Sequence, residues 1–427
     1  MGCRPSTPEV ITVTPPDPPP SDIPNDPPPP KARTYRPSIA SLQIPQQDDL
    51  ISEYTSGRST DEEEQENQDY LCGTDFSLQW LLQTLADKFN QQFDEEPQWI
   101  TERLNRPKWD ECATSTVIRV TFGWEEQNLP RSVILKTLSA KDLQDDELAE
   151  YHYLMFKREC NAYDWTQRYP KLPAPKIIHI KRHAKEFGGV VVMEDVLERA
   201  VQQDAVKGLS VRGCVDIVRD LLHQLAILHS FSMKQNSWSA IVADLPPSYY
   251  SHMSSGYNEI MEFFERHDVK HSWFTATAKY FTSEYLHKMS TKAFEEVPPR
   301  VLVHGEPYAG NIFADFDSKE PRIAAIIDWT ENQNLCRGRQ ALQDRIDCAT
   351  PLLEDYHTFL TEDSPEDCQI SLDTVQNAFD MFVPVAVVTF LQKVMASENK
   401  EDIEPLIDRA KGLIKTVYTM TNPSEEQ

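Results

Sequence analysis

Glycine is scarce in this chain, with 13 residues in 427, about 3% where ~7% is usual. No GxGxxG and no GxxxxGK[ST] stretch occurs, which removes the fingerprints of a dinucleotide-binding Rossmann domain and of a P-loop. A GxSxG nucleophile elbow and an HExxH zinc helix are also missing. Eight cysteines are scattered without a CxxC pair, so neither a zinc ribbon nor a small disulfide scaffold is expected. They read as reduced, mostly buried thiols of a cytoplasmic protein. Long apolar runs are lacking: the longest, Met381 to Leu391, spans 11 residues and contains Pro384, short of the ~20 that a membrane helix needs. Positive charge is sparse as well, 42 Lys and Arg against 68 Asp and Glu for a net charge of −26. Without a basic stripe, that field repels a phosphate backbone, and nucleic acid is not an expected partner. The N-terminus has no apolar signal core, so secretion is not expected either.

What is present suffices for a sizeable core, since 40% of residues are hydrophobic and 26% charged. Residues 1–70 differ in kind from the rest. Fourteen of the 31 prolines lie between Pro5 and Pro45, with runs at Pro18–Pro20 and Pro27–Pro30, and the acidic run Asp61–Glu64 follows. Such a stretch favours polyproline II and buries too little apolar surface to offset its ordering entropy, so a disordered tail is expected. Two uses stay open, a solubilising spacer or a Pro-rich ligand for a Src-homology-3 or similar domain. Met1-Gly2-Cys3-Arg4-Pro5-Ser6 also fits the M-G-x-x-x-[ST] acylation pattern. Gly2 and Cys3 together would supply the two chains that stable membrane contact requires.

Beyond Leu71 the pattern becomes that of ordered structure. Leu78, Leu81, Leu82, Leu85 and Phe89 predict an amphipathic helix within 76–93. Strands are predicted over 114–122, 132–138 and 188–193, and a helix over 147–168. Helical pattern then dominates, beginning with 211–228, and strand signals return only at 300–303 and 324–327. The expected architecture is α+β and bilobal: a small antiparallel-sheet N-lobe over 71–196 and a larger helical C-lobe over 197–427.

The chemistry concentrates in His304-Gly305-Glu306-Pro307-Tyr308-Ala309-Gly310-Asn311, followed by Ile326-Ile327-Asp328-Trp329. Short apolar strands precede both pieces, so a carboxylate, an amide and a second carboxylate are brought to one point. Phosphoryl transfer needs that set, with one carboxylate to orient a hydroxyl and an oxygen pair for Mg²⁺. Glu306 and Asn311 are five positions apart, the Asp-to-Asn spacing of a kinase catalytic loop, and Asp328 stands where the second metal-binding Asp belongs. His304 accompanies Glu306 as a catalytic-loop candidate, placed to orient the loop. Upstream, Lys136 ends the strand segment Val133-Ile134-Leu135-Lys136 and Glu159 follows 23 residues later on a helix, placed to pair with it. Glu194 to Val196 closes a strand as a hinge whose backbone can take a nucleobase edge. Outside that scheme Lys136 would be an ordinary solvated head on a packed stem. His223 and His229 are expected to find local hydrogen bonds, and the aromatics after Ser237 (Trp238, Tyr249, Tyr250, Phe263, Phe264) are either core or an acceptor cage.

The H-G-[D/E]-x-x-x-x-N…I-I-D-W pair resembles the choline/ethanolamine-kinase-like and aminoglycoside-phosphotransferase superfamily, protein-kinase-like in fold. It is most similar to the CHK kinase-like branch, which includes ecdysteroid kinases and many nematode members. The resemblance runs from about Leu71 to Met420 and takes in Leu135-Lys136 and Arg158-Glu159-Cys160-Asn161-Ala162-Tyr163. It implies ATP with Mg²⁺ and transfer of the γ-phosphate to a hydroxyl of a small molecule. Lys136 would contact phosphate, Glu159 would orient it, Asn311 and Asp328 would bind metal, and Glu306 would take the catalytic position. Two departures stand out. Glu306 replaces the family's Asp, and the phosphate-covering turn Asp110-Glu111-Cys112-Ala113-Thr114-Ser115 has no glycine, leaving Ser115 as its one contact. Asp344 matches the family's later Asp at a longer spacing and is read as structural. The alternative is a pseudokinase that binds nucleotide or acts as a scaffold.

Overall fold

The structure, a computed structural model, describes residues 70–422 apart from 105–114, 292–299, 336–348 and several shorter stretches. The tail with Gly2 and Cys3, the turn residues Asp110 to Thr114, and Asp344 lie outside the described residues. Residues 60–427 form one compact unit.

Helix α1 (Leu78–Phe89) starts where Ser77 accepts a hydrogen bond from the Trp80 N–H at 3.2 Å, and ends at Asn90, which takes the left-handed conformation. Its buried face, Leu78, Leu81 and Leu85, covers a five-stranded antiparallel sheet. The strands are β1 (Trp99–Arg103), β2 (Thr116–Phe122), β3 (Ser132–Leu138), β4 (Ile177–Lys181) and β5 (Gly189–Glu194), in the order β1-β2-β3-β5-β4. Alternation divides the side chains between two faces. Ile118, Val120, Val133, Leu135, Val190 and Val192 turn toward α1, whereas Ile134, Lys136, Val191 and Met193 face the opposite way. Lys136 sits in register with Val117 on one side and Val191 on the other, so a charged side chain projects from the middle of the sheet. The two strands without a sequence signal, β1 and β4, are the edge strands; Ile100 of β1 is half exposed.

Helix α2 (Ala149–Thr166) lies under the inner face. A Cβ at Gly189 would come within 2.4 Å of the Phe156 ring, so the glycine lets α2 press against β5. The helical lobe follows: β6 (Val201–Gln202), α3 (Cys214–Lys234), α4 (Pro247–Met253), α5 (Tyr257–Arg266), α6 (His271–Thr275) and α7 (Ser283–Thr291). Then come β7 (Val301–Val303), β8 (Ile312–Asp315), β9 (Arg322–Ile326), β10 (Gln333–Leu335), α8 (Ala349–Asp363), α9 (Leu372–Ala396) and α10 (Glu404–Thr421). Strands β6, β8 and β9 pair as one small sheet and β7 with β10 as another. This is the expected α+β, bilobal layout, a small antiparallel sheet followed by a larger helical part.

Two expectations are resolved by burial. Trp238, Tyr249, Tyr250, Phe263 and Phe264 are all buried in the helical lobe, so they are core and not a cage. The apolar run containing Pro384 is by itself too short to span a membrane, yet Pro384 does not end the helix, and α9 has the length and composition to cross one. Here α9 is a core helix: Phe382, Val383, Val387, Val388, Leu391 and Val394 are all buried against its neighbours.

Candidate active site

Lys136, Glu159 and Asp328 meet at the base of the cleft between the lobes. The Lys136 Nζ lies 2.8 Å from Oε2 and 2.9 Å from Oε1 of Glu159, and 2.7 Å from Oδ1 of Asp328. Lys136 is 5% exposed and Glu159 fully buried. A carboxylate taken so far out of water needs a fixed counter-charge, and the sheet and α2 place one there. Asp328, in the loop after β9, has φ of +64°, a left-handed conformation that Asp tolerates better than most residues and that its hydrogen-bond partners hold here. Its N–H donates to the Tyr163 hydroxyl at 3.3 Å, and Tyr163, one turn beyond Glu159 on α2, also hydrogen-bonds Glu159. Burial pushes the Tyr163 phenol well above its usual value, and the Glu159 and Asp328 charges add to that. Tyr163 therefore stays neutral and bridges the helix carboxylate to the Asp328 loop.

The loop from His304 to Asn311 forms the floor. Gly305 has φ of +97°, in the left-handed region that glycine tolerates, and this lets the chain reverse between His304 and Glu306. His304 is fully buried, and its ring lies 4.5 Å from that of Trp329. Its Nε2 lies 3.0 Å from the Ile327 carbonyl and its Nδ1 accepts the Glu306 N–H at 3.3 Å. Burial holds its pKa down at about 4. A neutral imidazole with both nitrogens engaged orients the loop and ties it to the Asp328 segment. Asn311 Nδ2 donates to the Glu306 carbonyl at 3.0 Å, and the Ile327 N–H donates to the Asn311 carbonyl at 2.9 Å. The carboxylate of Glu306 is met by Lys393 of α9, whose ammonium also lies over the Tyr308 ring, 4.7 Å from its centroid.

The cleft has a volume of about 650 Å³, within the range of small-molecule sites. Its walls include Val117, Ile134, Met193, Phe313 and Ile327, with Lys136, Glu159, Asn311 and Asp328 at the polar end and Glu194 to Leu197 at the hinge. Lys136, Glu159, Glu194, Val196, Asn311 and Asp328 all line this one cleft. The Glu194 side chain turns to Arg199 at 2.8 Å and to the Lys176 N–H at 2.9 Å, so this residue offers the cleft its backbone. Ser115 is not among the cleft-lining residues, and Glu306 stands beside the cleft, turned toward α9. Four contributors had no role assigned from the sequence. Tyr163 had a signal, helical spacing from Glu159. Arg119 and Asp195 are joined at 2.7 Å and both line the cleft; Arg119 had only the strand alternation of β2, and Asp195 only its place in the hinge segment. Lys393, 87 residues from Glu306, had none beyond being a charge near the end of an apolar helix.

Residues 129–333, from just before β3 to β10, match the model of the phosphotransferase enzyme family. That span takes in every cleft residue from Ile134 to Asp328. No curated protein matches the chain. Among solved structures, the chain is similar to the GDP complex of a wild-type aminoglycoside 2'-phosphotransferase, with 14% identity over 79% of this chain and 97% of that one and a TM-score of 0.42. An ethanolamine kinase of Plasmodium vivax aligns at 12% identity over 84% and 95% of the two chains, TM-score 0.42. A choline kinase from Streptococcus pneumoniae aligns at 13% identity over 75% and 93%, TM-score 0.37.

Proposed function

We propose that the chain is an ATP- and Mg²⁺-dependent phosphotransferase that moves the γ-phosphate to a hydroxyl of a small molecule, of the CHK kinase-like branch. The observation that carries this reading is the meeting of Lys136, Glu159 and Asp328 at the polar end of a cleft that Asn311 also lines. Lys136 would offer its ammonium to the nucleotide phosphates while Glu159 holds it from behind. Among the described residues no group of three His, Cys, Asp or Glu side chains gathers to hold a metal. One amide and one carboxylate fit Mg²⁺, which takes few protein oxygens and completes its shell with phosphate and water. Asn311 and Asp328 are the residues that would hold it, and the ion would neutralise charge on the phosphates. In the transfer itself the acceptor oxygen bonds to the γ-phosphorus while the bond from that phosphorus to the β–γ bridging oxygen breaks. The hydroxyl proton passes to the Glu306 carboxylate, and ADP and a phosphomonoester leave.

A second reading, nucleotide binding without transfer, is favoured by one observation: Glu306 carries an extra methylene and its carboxylate is engaged by Lys393. Thermal unfolding tests what the two readings share, the binding of nucleotide. Nucleotide at ~100 times its dissociation constant stabilises by ~2.7 kcal/mol, a rise of roughly 4 °C for a unit of ~350 residues. No rise with millimolar ATP and Mg²⁺ would sink both readings. A rise together with label transfer from γ-labelled ATP to one of a panel of alcohols (choline, ethanolamine, aminopropanol, kanamycin) supports the kinase. A rise without transfer, with activity gained in Glu306→Asp, supports the second reading.

A further inference from the structure

We propose that Lys393 is a positioning residue that sets the carboxylate of Glu306, an assignment that rests on the phosphotransferase reading and adds a distant helix to its site. Glu306 has one more rotatable bond than Asp, so its carboxylate sweeps a wider arc from the same backbone position. Left to itself it would lose side-chain entropy on meeting the acceptor hydroxyl, and a misplacement of ~1 Å can cost ~10²-fold in rate. Two fixed ends remove that freedom. At one end the Glu306 backbone is held by its N–H to His304 and its carbonyl to Asn311. At the other, the carboxylate meets the Lys393 ammonium.

Lys393 is itself well anchored. Its neighbours Phe390, Leu391 and Val394 are buried, which fixes its turn of α9. Its ammonium stands over the Tyr308 ring, a cation–π contact with the same loop. The side chains of Lys393 and Glu306 are each 23% exposed, shielded enough that solvent screens the pair less than an open surface bridge. A small pocket of about 20 Å³ adjoins them, walled by Tyr308, Phe390, Lys393, Val394 and Leu406. It shares Tyr308 and Ala205 with the nucleotide cleft. Lys393, and with it the Glu306 carboxylate, therefore stands where this small pocket borders the cleft, the side from which an acceptor hydroxyl would reach the nucleotide phosphates.

The test uses the full chain and hydrolysis of ATP with Mg²⁺, water serving as the acceptor. Lys393→Ala is expected to lower kcat by between ~10- and ~100-fold with KM for ATP unchanged, and Lys393→Arg to restore most of it. In a Glu306→Gln background, where no carboxylate remains to be placed, Lys393→Ala should cost nothing further. An equal loss in both backgrounds, a loss that Arg fails to restore, or a faster Lys393→Ala enzyme would each overturn the assignment. A wild-type chain that binds no nucleotide defeats the phosphotransferase reading itself. One that turns over ATP while Lys393→Ala loses nothing defeats the Lys393 assignment alone.

Discussion

Tyr163 joins the two halves of the polar cluster through a single hydroxyl, one side to Glu159 and the other to the Asp328 N–H. Hydrogen bonds to charged groups contribute about 1.5–3 kcal/mol, and phenylalanine fills the same volume without them. Tyr163→Phe is therefore expected to fold, to lose up to ~3 kcal/mol in unfolding experiments, and to lower kcat by roughly tenfold as Asp328 relaxes from its left-handed conformation. A variant with wild-type turnover would show that the bridge plays no part in setting the site. His304 makes a prediction of the opposite kind, because its effect lies in stability. Its folded pKa of about 4 lies below the ~6.5 of an unfolded chain, so between those values the unfolded state binds the extra proton. The stability it confers is complete above about pH 6.5 and is lost as pH falls toward 4, by on the order of 3 kcal/mol. Unfolding midpoints measured across that window should drop in the wild type and drop less in His304→Gln. Parallel curves would contradict the buried, neutral imidazole.

At the scale of elements, the hinge is fastened by Asp195. Its Oδ2 accepts from Arg119 Nε at 2.7 Å and from the Ser132 hydroxyl at 2.9 Å, and its Oδ1 from the Leu197 N–H at 3.2 Å. One carboxylate thus clamps the short turn after β5 to β2 and β3, and with it the hinge residues that line the cleft. Asp195→Ala should destabilise by about 1–3 kcal/mol and raise KM for ATP several-fold with kcat retained; an unchanged KM would sever the clamp from binding. The elements of this part of the chain were legible where burial is one-sided or complete. Helix α1 shows its period in Leu78, Leu81 and Leu85, and β3 and β5 carry short apolar runs, Val133–Leu135 and Val190–Met193. Strands β1 and β4 were not, because edge strands such as WITER and IIHIK mix exposed and half-buried positions that blur the period of two. The site divides along the same line. Lys136, Glu159, Asn311 and Asp328 stand at fixed distances from recognisable strand ends and could be read in order. Lys393 could not, since its contact with Glu306 depends on how α9 packs, and no local pattern encodes that.

On the scale of the whole molecule, the two lobes are not separate bodies. One apolar cluster contains Phe156, Tyr163 and Trp165 of α2 with Val191 and Met193 of β5. The same cluster holds Leu221, Leu225 and Leu228 of α3, Leu302 of β7, Ile312 of β8, and Ile326 and Trp329 around β9. Taking the sheet lobe away would expose the underside of α2, and it would also leave Glu159 and Asp328 without the Lys136 ammonium. Each loss runs to several kcal/mol, a large part of the stability a folded unit has to spare. Neither lobe is then expected to persist while the other unfolds. Calorimetry should give one transition whose calorimetric and van't Hoff enthalpies agree, and ATP with Mg²⁺, bound where the lobes meet, should move that transition as a whole. Two resolved transitions, with only one responding to nucleotide, would show that the cluster does not couple the lobes and that the site is assembled on one of them.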